Sequence, residues 1–195
     1  MIVRSRLTLG AAMTAIALGL AACAPLPVTA PDTVATRNAA PAFELQGRLS
    51  ASDGQQAASG RVEWQHIRDT HHFTLLTPLG QVVAQLDADA LGARLQTTDG
   101  QVLSADSAEA LLPQVLGVDV PIGRLGLWVQ AAPGPEAEIR NRDSAGRPAL
   151  VIDLGWRIEY LDYAGESADA PPARLDISRG DARIRLVIDS WTTLP

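Results

Sequence analysis

Apolar and polar residues alternate along most of the chain after residue 42, which is the pattern of half-buried β-strands. The first run, residues 43–51, places Phe43, Leu45 and Leu49 on one face, with mostly charged or amide side chains between them. Eight similar runs follow in two groups, separated by Gly, Asp and Pro at hairpin spacing. They cover residues 60–66, 71–76, 82–87, 93–97, 149–154, 156–163, 174–178 and 183–191. Because the loops within each group are too short for crossover helices, the pattern predicts a meandering antiparallel sheet.

The middle of the chain changes to a helical period. Residues 106–116 begin with an acidic residue and place Leu112 and Leu116 on one stripe, with a kink expected at Pro113. A second short helix is predicted over residues 121–129, opened by a proline in its first turn. A sheet of many strands with helices inserted midway predicts a mainly β fold, an incomplete, half-open antiparallel β-barrel with a helical lid.

The N-terminus has the features of an export signal. Arg4 and Arg6 form a basic region, and the apolar residues 7–22 are too few for a comfortable membrane span. The segment ends in "LAAC", and Cys23 is the only cysteine, so it has no partner for an intramolecular disulfide. This ending resembles a bacterial lipobox, which implies cleavage before Cys23 and acylation of that cysteine. The alternative is a chance cysteine in a cleaved leader.

The resemblance to a lipobox implies a cellular location for the protein and a division of the chain into three segments. Two or three acyl chains anchor a protein stably without a spanning helix. In Gram-negative lipoproteins an aspartate after the cysteine often marks inner-membrane retention, so Ala24 implies the periplasmic face of the outer membrane. We therefore expect a signal peptide at 1–22, a lipidated cysteine and flexible, proline-rich tether at 23–42, and a folded domain at 43–195.

Composition and charge exclude some partners. The chain has 195 residues, 47% hydrophobic and 19% charged, which is ordinary for one globular domain. The chain has sixteen basic residues, all of them arginine, and 22 acidic residues, which gives a net charge of −6. This balance does not favour binding to a phosphate backbone, so no nucleic-acid partner is predicted.

The sequence shows no compelling catalytic or metal-binding pattern. His71 and His72 are adjacent and therefore point to opposite faces of a strand, so a metal site with His66 is less favoured than ordinary exposed or core histidines. The segment starting at Asp87 fails as a calcium loop, because Leu91 replaces an oxygen ligand. Phosphate loops and nucleophile elbows are absent. We predict neither an enzyme nor a bound metal or cofactor.

A set of short motifs in a fixed order connects the folded domain to a known family. The segments are "FELQGRLS", "GRVEWQ", "LLTPLGQ", "DGQ", "PIGRLGLWV", "GWRIEYLDY" and "RIRLVIDSW". Their order is similar to that of the LolB family, outer-membrane lipoproteins that receive other lipoproteins at the end of their transport route. The resemblance covers nearly the whole domain, and all four tryptophans fall where that family carries tryptophan.

The resemblance implies a monomeric protein whose half-open barrel and lid enclose an apolar cavity. The cavity would take the acyl chains of a cargo lipoprotein from a periplasmic, LolA-like carrier, and the cargo would then enter the lipid of the outer membrane. The resemblance does not specify how Pro113 affects the shape of the lid. The residues expected to line the cavity are Trp64, Leu75, Leu86, Leu112, Leu116, Trp128 and Trp156.

The segment Thr77-Pro78-Leu79-Gly80 has good turn residues with one large apolar side chain among them. Pro78 suits the second position of a type I turn and Gly80 the fourth, which predicts that Leu79 is at the tip. A single exposed leucine is normal, so these residues alone favour an incidental role. The family resemblance instead implies a membrane-insertion loop, Pro78, Leu79 and Gly80, whose leucine contributes about 1.5–3 kcal/mol on full burial.

Two further functions remain compatible with these patterns. The protein could be a structural or assembly scaffold that recruits partners at a sheet edge, with an interior filled by its own side chains and no lipid transfer. A periplasmic hydrolase is disfavoured by the lack of a convincing nucleophile and base.

Overall fold

The computed structural model describes residues 37–195; the predicted signal peptide, Cys23 and most of the predicted tether lie outside the described residues. The described part contains eleven strands, with three short helices between the sixth and the seventh. The first six strands are β1 Ala42–Ser52, β2 Ala57–Ile67, β3 Thr70–Leu76, β4 Val82–Asp89, β5 Gly92–Thr97 and β6 Val102–Ala105. The other five are β7 Glu138–Arg142, β8 Pro148–Asp153, β9 Trp156–Tyr163, β10 Pro172–Arg179 and β11 Ala182–Thr193. Between residues 37 and 195, no helix is long and apolar enough to cross a membrane.

All described strands belong to one antiparallel sheet with the order β6-β5-β4-β3-β2-β1-β11-β10-β9-β8-β7. It consists of two meanders, β1–β6 and β7–β11, which the pairing of β1 with β11 joins. That seam is tight, because a Cβ on Gly47 would lie only 2.3 Å from the carbonyl oxygen of Val187. The terminal strands β6 and β7 are not paired with each other, so the sheet does not close. The predicted half-open antiparallel barrel is confirmed.

All nine predicted strands are present, with ends that differ by a few residues. The two strands missing from the prediction, β6 and β7, are the edges of the sheet. β6 has four residues, largely exposed, and β7 has the sequence "EIRNR", so neither alternates clearly between apolar and polar positions. Short, charged or irregular strands are typical of sheet edges, where they discourage pairing with other chains.

The prediction of one kinked helix over residues 106–116 is wrong. The structure has a 3₁₀ helix, Ala108–Ala110, followed by a separate α-helix, α1, Leu112–Leu116. Pro113 lies in the first turn of α1, where its missing N–H removes no helical hydrogen bond, so it begins the helix instead of kinking it. The predicted apolar stripe is present, since Leu112 and Leu116 are fully buried.

The second predicted helix is confirmed as α2, Ile122–Trp128, with Pro121 as the residue that precedes its first turn. We refer to the 3₁₀ helix, α1 and α2 together, residues 108–128, as the lid. The lid covers the face of the sheet that carries its buried alternate positions, which we call the inner face. A Cβ on Gly126 would lie 3.7 Å from the Trp64 ring, so α2 passes close to the sheet.

A pair of stacked histidines lies beside the core where β2 turns into β3. The rings of His66 and His71 are 4.6 Å apart, and the indole N–H of Trp64 donates to Nδ1 of His71 at 3.4 Å. Burial, together with the nearby His66, lowers the pKa of His71 to about 4, against the weaker opposing effect of Glu109 and Asp69. Burial also lowers the pKa of His66. The fold therefore holds this pair neutral.

This pair makes the stability of the domain dependent on pH. An unfolded histidine has a pKa of about 6.5, so below that pH the unfolded chain binds protons that the folded chain does not. The stabilisation from neutral His71 is complete above about pH 6.5 and is lost as the pH falls towards 4. We expect the urea midpoint to fall between pH 7 and pH 5, and His71→Phe to reduce that fall. An unchanged pH dependence of the urea midpoint in His71→Phe would contradict the assignment.

Candidate functional site

The seven residues predicted to line a cavity all lie between the sheet and the lid. Each is at most 4% exposed, and all belong to one continuous buried cluster. The sheet contributes four of them, Trp64, Leu75, Leu86 and Trp156, and the lid contributes Leu112, Leu116 and Trp128. That these residues line a cavity, and do not pack only against one another, stays a prediction. Their shared location nevertheless makes the contact between lid and sheet the main apolar interior of the domain.

One open pocket in the described part has a different character. It has a volume of about 320 Å³ and lies where β1 and β10 end and β2 and β11 begin, near the turns that follow Ser52 and Arg179. Its walls include Glu159, Asp176 and Arg183 as well as several serines and alanines. Charged walls of this kind are a poor environment for an acyl chain, because an apolar ligand requires a predominantly apolar lining. The apolar surface suited to such a ligand is the buried one beneath the lid.

One buried carboxylate fastens the lid to the sheet. Asp153, at the end of β8, is only 1% exposed, and its Oδ2 accepts a hydrogen bond from the indole N–H of Trp128 in α2 at 2.8 Å. The guanidinium of Arg124, also in α2, lies 3.7 Å from the same oxygen. The other oxygen, Oδ1, has no hydrogen-bond partner among the described residues. A charge in this position is costly unless its partners remain in place, so it couples the position of α2 to β8.

Two further polar side chains hold the end of α2. The hydroxyl of Tyr160 in β9 donates to the carbonyl of Trp128 at 3.0 Å. The side chain of Gln130 accepts from the backbone N–H of Ala40 at 2.7 Å and donates to the carbonyl of Gly126 at 3.0 Å. The lid is therefore held by a few specific hydrogen bonds within an otherwise apolar contact.

The role of Asp153 was missed in the sequence, although a signal exists. Val151 and Asp153 are two residues apart in β8, so they share the inner face of the sheet, and both are buried. An acidic residue at an inward position of a strand indicates a buried polar contact. Its partner, Trp128, is 25 residues away along the chain and is identified only by the fold.

The turn between β3 and β4 has the predicted geometry. The N–H of Gly80 donates to the carbonyl of Thr77 at 2.9 Å, and the N–H of Thr77 donates to the carbonyl of Gln81 at 2.8 Å. Gly80 has a φ of +85°, which is the left-handed conformation that closes three-residue hairpin loops. Leu79 lies at the tip and is 91% exposed. The predicted exposure of Leu79 is confirmed, while its role in membrane insertion stays a prediction.

Other apolar side chains are exposed near this tip. Val82 and Val83 begin β4, and Val102 begins β6, directly after the neighbouring turn at residues 98–101. The N–H of Thr98 in that turn donates to the carbonyl of Val83 at 3.1 Å, which ties the two turns together. We call this side of the sheet the Leu79 end. Sequence analysis missed Val102 because β6 has too few residues to show a period.

A second exposed leucine lies at the opposite end of the same strands. Leu91 is 94% exposed in the turn between β4 and β5. Because hairpin turns alternate between the two ends of an antiparallel meander, this turn and the one between β2 and β3 lie away from Leu79. We call this side the Leu91 end. Residues 37–195 thus present Leu79 and Leu91 as turn-tip leucines of nearly equal exposure at opposite ends of the sheet.

The comparisons with known proteins agree on one family. A family model described as "Outer membrane lipoprotein LolB" matches residues 41–191. An outer-membrane lipoprotein LolB from Azoarcus sp. (strain BH72) is 50% identical over 184 residues, covering 94% of this chain and 95% of the relative. One from Thiobacillus denitrificans is 36% identical over 187 residues, covering 95% and 98%.

A solved structure supports the same architecture. The crystal structure of a LolA superfamily protein from Nitrosomonas europaea matches with a TM-score of 0.50 and 9% sequence identity. The match covers 83% of this chain and 90% of that protein. At this identity the likeness concerns the fold alone.

The bond between Asp153 and Trp128 can be tested by its effect on stability. Asp153→Ala leaves the buried indole N–H of Trp128 without an acceptor, and the free energy of unfolding should fall by about 1–3 kcal/mol. Asp153→Asn is the matched control, because its amide oxygen can still accept, and it should lose less. Urea unfolding measures both. An Asp153→Ala protein that unfolds at the parental urea concentration would show that this contact does not hold the lid.

Proposed function

Because the chain belongs to the LolB family of outer-membrane lipoproteins, we propose that its folded domain receives other lipoproteins at the outer membrane and passes their acyl chains into the bilayer. The observation that carries the proposal is the apolar contact between lid and sheet, held by few hydrogen bonds, in a chain that matches this family over residues 41–191. The same domain also presents a leucine at an exposed turn. One feature suits binding of acyl chains and the other suits their release.

Binding requires the lid to give way to the acyl chains of the cargo. The apolar side chains of Leu112, Leu116 and Trp128 would part from the inner face, and the cargo chains would take their place against Trp64 and Leu86. The apolar area that the lid loses is then replaced by contact with the ligand, so the net cost of opening is confined largely to the polar bonds at Asp153 and Tyr160.

Transfer must be direct from one apolar site to the next. Each CH₂ exposed to water costs about 0.8 kcal/mol, so an acyl chain released into the periplasm would face a large barrier. We therefore infer that a soluble, LolA-like carrier docks against this domain, and that the acyl chains pass directly from the apolar site of the carrier into that of this domain. The step moves acyl chains between apolar environments and involves no covalent chemistry.

Release would use the tip of the turn between β3 and β4. Burial of Leu79 in lipid contributes about 1.5–3 kcal/mol, too little to anchor a protein but enough to favour one orientation at the membrane surface. The firm attachment would come from acyl chains on Cys23. In this arrangement Cys23 holds the protein at the membrane, while Pro78, Leu79 and Gly80 bring the cargo to the lipid.

A charge at the tip should separate receiving cargo from delivering it. Leu79→Glu places a carboxylate at the lipid contact but lies in an exposed turn, so we expect parental stability, parental binding of an acylated lipopeptide, and loss of its transfer to liposomes. Leu91→Glu is the matched control, since it makes the same change at an equally exposed turn at the other end of the sheet. It should transfer at the parental rate. If Leu79→Glu also delivers at that rate, Leu79 has no part in insertion.

The proposed anchor is tested by its removal. Cys23→Ala removes the acylated side chain, which should supply nearly all of the membrane affinity, and the protein should then be recovered in the soluble periplasmic fraction. Fractionation of cells that express each form, followed by immunoblotting, measures the shift. A variant that remains in the outer-membrane fraction would place the anchor elsewhere.

A further inference from the structure

The first described residues are fastened to the Leu91 end of the domain. The guanidinium of Arg37 donates to the carbonyls of Ala168, Asp169 and Ala170 at 3.1, 3.2 and 2.7 Å. It also lies 5.5 Å from the centre of the Tyr163 ring. All four residues belong to the end of β9 or to the loop from β9 to β10, which the strand register places at the Leu91 end.

A hydrogen bond at Pro41 independently places this segment at the Leu91 end. Its carbonyl accepts a hydrogen bond from the N–H of Arg68, in the turn between β2 and β3, at 2.7 Å. The segment from Arg37 to Pro41 is thus held at two places on the same end of the domain. The chain leaves towards Cys23 from the end that is farthest from Leu79.

The separation between these two ends can be estimated from the strands. β3 has seven residues, Thr70–Leu76, and runs from the Leu91 end to the Leu79 end. At about 3.3 Å per residue, the strand and the turn that follows place Leu79 about 30 Å beyond the level of Pro41. When Leu79 touches the bilayer with the strands upright, Arg37 is therefore about 30 Å above it.

The chain between Cys23 and Arg37 is long enough for this distance, with a limited margin. Fourteen peptide units separate the two residues. At no more than about 3.5 Å per unit they reach about 50 Å, so an anchored Cys23 permits contact by the Leu79 end. A segment shorter by eight residues would reach only about 20 Å and would forbid it.

The surroundings of the two exposed leucines differ in their suitability for lipid. Leu79 is near Val82, Val83 and Val102, three exposed apolar residues at the strand ends beside the tip. The turns of this end also carry acidic residues, which we expect to remain among the lipid headgroups: Asp99 in the neighbouring turn, Asp53 between β1 and β2, and Asp181 between β10 and β11. At the other end, Leu91 is near Asp89, whose carboxylate accepts the backbone N–H of Leu91 at 2.8 Å. That end also carries Arg68 and Asp69, with Ile67 as an exposed apolar residue beside them. The Leu79 end is therefore better suited than the Leu91 end to contact with a bilayer.

We propose that the domain stands upright on the bilayer, with the Leu79 end, including Leu79 and the exposed Val82, Val83 and Val102, against the lipid and the Arg37 contact at the far end. The segment between Cys23 and Arg37 must then span the length of the domain, so its length is a requirement for delivery. The inference rests on the proposed function, because it assumes an acylated Cys23 and transfer of cargo at Leu79. It adds the orientation of the domain and a minimum length for the segment.

Shortening this segment tests the orientation in the full-length protein. One variant lacks residues 28–35, which leaves the residues around Cys23 and the Arg37 contact in place. A second variant replaces the same eight residues by glycine and serine at equal length. Each is reconstituted into vesicles of phosphatidylethanolamine and phosphatidylglycerol, and a dye-labelled triacylated lipopeptide is presented on serum albumin. The rate at which the dye enters the lipid is compared with that of protein-free vesicles.

We expect the deletion to bind lipopeptide as the parent does but to deliver it at least about tenfold more slowly, because a linker that cannot span two sites gives an effective concentration near zero. The equal-length replacement should deliver at the parental rate. The deletion combined with Cys23→Ala should deliver as well as soluble Cys23→Ala alone, since nothing then restrains the domain.

Three results would overturn the upright orientation. They are parental delivery by the anchored deletion variant, equal loss in the equal-length replacement, and loss in the soluble deletion variant. The proposed function is judged separately by the parent: if the parent moves no lipopeptide into the vesicles, that function fails, and the orientation fails with it.

Discussion

The apolar contact between the lid and the inner face of the sheet is the interaction on which the rest of the structure depends. It covers the inner face of an open, eleven-stranded sheet that has no partner strand at either edge among the described residues. In the proposed function, the same surfaces must separate and accept acyl chains. A contact with both roles has to be extensive enough to hold the fold and yet replaceable by an apolar ligand, because a hydrophobic contact is not directional and acyl chains can substitute for side chains.

The directional bonds give this contact a defined closed position. The bond from Trp128 to Asp153 and the bond from Tyr160 to the carbonyl of Trp128 fix one end of α2 against β8 and β9. Because Asp153 is buried with one oxygen unpartnered, removing its partner Trp128 would leave a buried carboxylate poorly satisfied. These bonds therefore give the lid one preferred position, while the rest of its contact with the sheet is apolar. This is the balance that a receptor needs if it binds cargo firmly and still releases it.

Sequence alone predicted the features that depend on local pattern. The long central strands were predictable because their inner faces alternate, and the exposure of Leu79 was predictable because proline and glycine specify the turn. The edge strands β6 and β7 were not, since edges carry little buried surface and so show little period. The division of residues 106–116 into a 3₁₀ helix and α1 was also missed, because an apolar stripe does not reveal where Pro113 begins a helix. Asp153 and the Arg37 contact depend on residues far apart in the chain, which only the fold brings together.

The central claim is that the contact between lid and sheet opens to hold an acyl chain, and uptake of a fluorescent fatty acid by the soluble Cys23→Ala protein tests it most directly. The claim predicts saturable binding, a shift of the probe emission to shorter wavelength, and a change in the emission of the buried Trp64, Trp128 and Trp156, all competed by an acylated lipopeptide. A folded protein that binds no probe, with unchanged tryptophan emission, would show an interior filled permanently by its own side chains. That result would contradict transfer of lipids and favour a scaffold.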